Sequence, residues 1–206
     1  MLCTVEQVKA RLSLASDDDE HDDMIEQIVL GVSEALCGPA GAGRPLEEAQ
    51  VTQVFDVPTP VRVLLVERFP IVAVDEVREG WLGGFDDEAD LMEGEDFVVA
   101  ADAGRLIRVG GHWLLGDGTV RAKYRGGYVP PDVSREQAFG PAEGQVLMPQ
   151  DIVEAAIQQS VHWFQRRSQP GVTGEGVAGA NLTFYAATEL LPGVKEILGR
   201  YRRIVC

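Results

Sequence analysis

Apolar positions recur at helical spacing at both ends of the chain and at strand spacing in the middle. Near the N-terminus Val5, Val8 and Leu12 fall on one face, with Thr4 placed to cap and Gln7 in the reciprocal capping-box position. A second and broader stripe, Met24, Ile25, Ile28, Val29, Val32, Ala35 and Leu36, predicts the clearest helix of the sequence. The Gly38–Pro45 segment ends it, with glycine expected at a left-handed cap and proline unable to continue the ladder.

From about residue 51 the period shortens. Val51–Phe55, Val61–Val66, Ile71–Val74 with Val77, Phe97–Val99, Leu106–Val109 and Thr119–Tyr124 are short, β-branched and separated by Gly, Pro or Asp, so they predict a compact antiparallel β region. Gly80 to Asp96 reads as a long acidic loop holding Trp81 and Phe85, and Gly126-Gly127-Tyr128-Val129-Pro130-Pro131 closes the region. Helix returns after Met148-Pro149, with Asp151 as first-turn acid or cap and Ile152, Val153, Ala156, Ile157, Val161, Trp163 and Phe164 on its apolar face. Gly171, Gly174, Gly176 and Gly179 predict a flexible loop, and a last helix begins at Pro192 and runs through Val194, Ile197, Leu198 and Tyr201.

Neither helical end can bury its stripe alone. The expected fold is therefore α+β: a bundle formed by the N- and C-terminal helices with a β region inserted between them. The expected divisions are 1–48 (N-terminal helices), 49–133 (β region) and 134–206 (connecting insert, C-terminal helices and glycine-rich loop).

The 206 residues are 45% hydrophobic and 25% charged, ordinary globular proportions. No apolar run reaches a bilayer span and no signal-peptide pattern opens the chain, so a soluble protein made in the cytosol is expected. Cys3, Cys37 and Cys206 are odd in number and far apart, which argues for buried or free thiols over a disulfide framework or zinc site. The net charge of −15 disfavours tight binding of nucleic acid over a broad basic face. Acid is concentrated in residues 1–150, while residues 151–206 carry +1.

Chemistry-bearing motifs are few. The Asp17–Asp23 run lacks the glycine and glutamate of a calcium loop and reads as a solvated segment placing charge at a helix N-terminus. The acids from Asp86 to Asp96 read the same way. The glycine-rich stretches lack a phosphate-loop signature, and His21, His112 and His162 have no nucleophile motif beside them. An enzyme is not expected, and no cofactor or metal is called for.

One long-range pattern remains. It runs from Thr4-Val5-Glu6-Gln7-Val8-Lys9-Ala10-Arg11-Leu12 through an acidic loop and Asp23-Met24-Ile25-Glu26-Gln27-Ile28 to Lys123-Tyr124-Arg125-Gly126-Gly127-Tyr128 with Pro130-Pro131. Pro149-Gln150-Asp151-Ile152-Val153-Glu154-Ala155-Ala156-Ile157, His162-Trp163-Phe164-Gln165-Arg166-Arg167 and Leu191-Pro192-Gly193-Val194-Lys195-Glu196-Ile197-Leu198-Gly199-Arg200-Tyr201-Arg202 complete it. In this order the segments resemble the head-to-tail connector, or adaptor, proteins of tailed bacteriophages and gene transfer agents. The resemblance implies a non-enzymatic virion protein, assembled from the host cytoplasm. It would form a ring, twelve-fold in the family, beneath the portal protein and extend the DNA channel toward the stopper or tail-completion protein and tail. Double-stranded DNA would pass without specific binding, helped by like-charge repulsion from the acidic ring, and no membrane is involved. The chain departs from the smallest members by its β insertion and by the 134–146 insert.

Within that frame Val194, Ile197, Leu198 and Tyr201, with Arg200, Arg202 and Arg203, are candidate portal-binding residues; the same apolar residues equally suit a helix closing its own bundle. A stopper or tail-completion protein is the neighbouring alternative. A carbohydrate-binding β module, with Trp81, Phe85 and Trp113 stacking and the 86–96 acids holding calcium, is the alternative from another class.

Overall fold

A computed structural model describes residues 1–81, 84–85, 90–131, 144–167, 174–177, 180–183 and 189–203. The chain is α+β, with four helices among the described residues, and clusters into two compact units. Of the described residues, 1–45, 130–131 and those from 148 to 203 belong to the helical unit, and those from 46 to 129 with 144–147 to the β unit, inserted in the chain order.

In the helical unit α1 (Val5–Leu12) begins with a full capping box, Thr4 Oγ1 accepting from the Gln7 N–H while the Gln7 side chain accepts from the Thr4 N–H. Helix α2 (Asp22–Cys37) buries Ile25, Val29, Val32 and Leu36. Gly38 ends it in extended backbone, φ −70° and ψ 177°, and not in the left-handed cap expected; its N–H is satisfied by Glu34 O at 2.9 Å, so no left-handed turn is needed there. Helix α3 (Gln150–Arg166) is the centre of the bundle and packs on α1, α2 and α4 (Pro192–Gly199). Asp151 is the expected first-turn acid, accepting from the Ile152 N–H at 3.0 Å, but no side chain caps the helix; Asp151 also takes part in tertiary contacts described below. Gly31 lies against Trp163, where any Cβ would press on the indole ring at 3.3 Å.

The acidic run sits as a first-turn charge, with Asp22 and Asp23 opening α2. Asp22, itself more than a third exposed, also takes the ammonium of the buried Lys9 at 2.7 Å, and Asp22 holds the Lys9 pKa above the ordinary lysine range against the opposing effect of burial. Cys3 is buried near Ser160 and its thiol is pushed up to about 11, chiefly by desolvation; neither Cys3 nor Cys37 forms a disulfide.

The β unit holds two three-stranded antiparallel sheets. One has the order β1-β6-β3, from β1 (Ala49–Val57), β3 (Ile71–Glu79) and β6 (Gly116–Gly126). The other has the order β2-β5-β4, from β2 (Val63–Leu65), β4 (Phe97–Ala100) and β5 (Arg105–Arg108). Phe55, Val57, Val77, Val120, Ala122 and Tyr124 from the first sheet form one core with Leu64, Phe97 and Leu106 from the second, together with Trp113. The two sheets therefore pack face to face.

The exit from β6 explains the Gly-Gly pair. Gly127 has φ +110°, and a Cβ there would collide with the Glu47 carbonyl; one on Gly126 would lie 2.6 Å from Arg68 O. Tyr124, fully buried, accepts from the Arg68 N–H and donates to Gln53 Oε1, tying the neighbouring strands.

Gly174–Val177 (β7) pairs antiparallel with Ala180–Thr183 (β8), so Gly174 and Gly176 of the expected flexible loop stand in this ladder. Gly171 and Gly179 lie outside the described residues.

Candidate functional site

The candidate site is the C-terminal end of the helical unit, and its position begins with a buried glutamine. Gln159, on the otherwise apolar inner face of α3, has no exposed surface. Its Nε2 donates to Glu189 O at 3.0 Å and its Oε1 accepts from the Leu191 N–H at 2.9 Å. One amide thus holds the segment entering α4 by two backbone bonds. Pro192 then supplies the preset φ of a first helical turn, and Val194 and Leu198, both fully buried, seat α4 on the bundle.

Beyond Gly199 the backbone makes one more turn, with the Arg200 N–H on Ile197 O and the Tyr201 N–H on Leu198 O. Tyr201 is fixed at both ends. Its hydroxyl donates to Asp151 Oδ1 at 2.5 Å, and its carbonyl accepts from Nε of Arg44, itself buried, at 3.0 Å. Arg200 lies 3.7 Å from the second Asp151 oxygen with 64% of its side chain exposed, a geometry that contributes little to stability.

The seven sequence-predicted residues therefore divide. Val194 and Leu198 are consumed by the chain's own core, Tyr201 is half-buried and bonded, and Ile197 and Arg203 are half-buried. Arg200 and Arg202 are exposed. The sequence reading missed Gln159, Arg44 and the anchoring role of Asp151.

The carbohydrate reading fails on two of its three aromatics. Trp113 is buried in the β core with Nε1 donating to Arg62 O at 2.9 Å, and Phe85 is buried with the Arg121 guanidinium 4.8 Å above its ring. Only Trp81 of the three is exposed. Asp90 and Asp96 are held by Arg78 and Arg108, while residues 86–89 lie outside the described residues. Among the described residues no group of three His, Cys, Asp or Glu side chains is placed to hold a metal, and no helix is long and apolar enough to cross a membrane.

Fold and geometry together define an α+β protein, whose described residues form a unit of four helices and an inserted unit of two three-stranded sheets. No family profile matches the sequence, and no curated protein does. Solved structures share the fold. Over 100% of this chain and 91% of the other it superposes, at 15% identity and TM-score 0.60, on a chain from the neck of an empty gene transfer agent particle computed with C6 symmetry. A chain from the virion of a native gene transfer agent particle matches over the same shares at 14% identity and TM-score 0.61. One from the neck of a native particle computed with C12 symmetry matches over 91% of this chain and 86% of the other, at 14% identity and TM-score 0.55. What the likeness shows is a common fold.

Proposed function

We propose that this chain is a structural protein of a phage or gene-transfer-agent neck. In this reading it is a head-to-tail connector that forms a ring under the portal and carries the DNA channel toward the stopper and tail. The observation that carries the reading is the extent of the fold likeness, the whole of this chain against nearly the whole of a chain from a particle neck. A shared β module alone would have matched residues 46–129 and left the helices out. The C12 and C6 symmetries of those necks support a ring of copies, and the order of the sequence segments from Thr4 to Arg202 supports a connector within the neck.

The role is one of contacts, not of chemistry. Portal contact falls to the side chains that the bundle leaves outward, Arg200 and Arg202 with Ile197 and Arg203 beside them. Val194 and Leu198 act indirectly by fixing α4. Three arginines at the end of a −15 chain suit an acidic partner surface. The remaining acid keeps a DNA duplex from adhering to the channel wall.

Binding to purified portal tests this. Arg200→Glu with Arg202→Glu should weaken binding at least tenfold at low salt and less at high salt, since exposed charge pairs are screened. Unchanged portal binding by the folded double variant would move the docking surface elsewhere, and absence of any portal binding by the wild type would favour a stopper or tail-completion protein.

A further inference from the structure

The two sheets of the β unit share one core, so each has an outer face directed away from it. On the β1-β6-β3 sheet that face is polar, as a solvated antiparallel sheet should be. In register across it stand Thr52, Lys123 and Glu76, and then Val54, Arg121 and Arg78, with Arg121 paired to Glu76 at 2.8 Å.

The β2-β5-β4 sheet breaks the rule. Leu64, Leu106 and Val99 form its inner row. The outer rows are Val63, Ile107 and Val98, then Leu65, Arg105 and Ala100, with Val109 just beyond the strand end. Val63, Val98 and Val109 are each about two-fifths exposed, at 39%, 41% and 42%. The strands thus read as continuous apolar runs, Val63-Leu64-Leu65 and Phe97-Val98-Val99-Ala100, the pattern of strands covered on both sides. An uncovered apolar face of this kind is where a soluble protein meets a partner.

We infer that the outer face of the β2-β5-β4 sheet is a contact surface for a second copy of this chain. The inference rests on the ring proposed above and names one of its subunit contacts. Charge identifies the occupant. Asp96, which directly precedes β4, is already held by Arg108 at 3.2 Å, and the exposed Arg105 stands in the second row. In a chain with 33 acidic and 18 basic residues, this apolar face with a cation in it complements the acid-rich surface of another copy and adds no like-charge repulsion of its own. A ring needs two different surfaces on each subunit, so this face packs on a separate part of its neighbour.

The test is sedimentation of the full chain over a concentration series at about 0.1 M and about 1 M salt, where the screening length falls from about 10 Å to about 3 Å. The wild type should associate at the higher salt. Val63→Thr with Val98→Thr keeps side-chain shape and strand preference while removing the apolar contact. This variant should need at least about tenfold more protein for half-association, about 1.4 kcal/mol, with an unchanged circular dichroism spectrum. Val54→Thr, an exposed valine on the polar sheet, should leave association unchanged. If the double variant associates like the wild type, the contact surface lies elsewhere and the ring reading survives. If the wild type stays monomeric at every concentration and at both salts, a second copy is the wrong occupant and a different neck protein covers the face. The ring reading itself is decided separately, by images of the chain on its portal.

Discussion

Replacing Gln159 with Leu sets two physical expectations against each other. On hydrophobicity alone, leucine on the inner face of α3 should stabilise the bundle, because it removes a polar amide from a site with no exposed surface. The hydrogen bonds say the opposite. Gln159 satisfies the Glu189 carbonyl and the Leu191 N–H, and leucine leaves both without that partner. An unpaired buried backbone group costs about 1–3 kcal/mol. Leu190 between the two is buried, while Glu189 and Leu191 retain some solvent contact. About 1 kcal/mol for each group, offset by a gain below 1 kcal/mol from the added apolar surface, gives a net loss of about 1–2 kcal/mol. The four helices of the described residues lie in the helical unit, so circular dichroism at a helix wavelength during urea unfolding follows that unit. With a slope of about 2 kcal/mol per molar urea the midpoint should fall by about 0.5–1 M. Because the amide also fixes the entry to α4, portal binding should weaken in the same variant. A Gln159→Leu protein as stable as the wild type, or more so, would refute the assignment of this glutamine as the anchor of the C-terminal segment.

Gly127→Ala should destabilise the β unit by about 3 kcal/mol or more, from a positive φ and a collision with the Glu47 carbonyl, read as a lowered thermal midpoint; a shift within error would show that the turn relaxes freely. Acid should erode stability through Asp96, whose pKa is lowered first by the Met92 N–H and then by Arg108, and through Glu154, lowered first by Arg11. Each such contribution is complete above the unfolded carboxylate range near about 4 and is lost as pH falls through the depressed native value, so Asp96→Asn with Glu154→Gln should flatten the acid limb of a stability–pH curve. Replacing Asp17, Asp18 and Asp19 by Asn should cost at most about 1 kcal/mol and create no calcium or magnesium dependence; loss of assembly that added metal restores in the wild type and not in the variant would overturn this.

Local signals carried most of the architecture. Thr4 and Gln7 form the capping box that their spacing announces, and the six β segments pair as strands, because a cap and a short β-branched run bounded by turn residues are properties of neighbouring residues. Bonds between distant residues were not legible. Arg44 and Tyr201 are 157 residues apart, and nothing in either segment announces the other. Gln159 reads locally as one polar position on a wide apolar stripe, and only the return of the chain at 189–191 gives it partners. Trp113, a stacking candidate in the carbohydrate alternative, is buried because two sheets close over it, which no local signal announces. For the candidate site, the arginines were visible as a charge run, but the division between buried Val194 and Leu198 and outward Arg200 and Arg202 depends on where α3 lies. The outer face of the small sheet was hidden because a three- or four-residue apolar strand has the same sequence whether its second side meets solvent or a partner.

Imaging the purified chain mixed with its portal tests the proposed function most directly. A ring of copies, twelve-fold, seated on the portal with the C-terminal arginines at the contact, is the predicted result. Single copies scattered without symmetry, or a portal surface left bare at saturating protein, would contradict it.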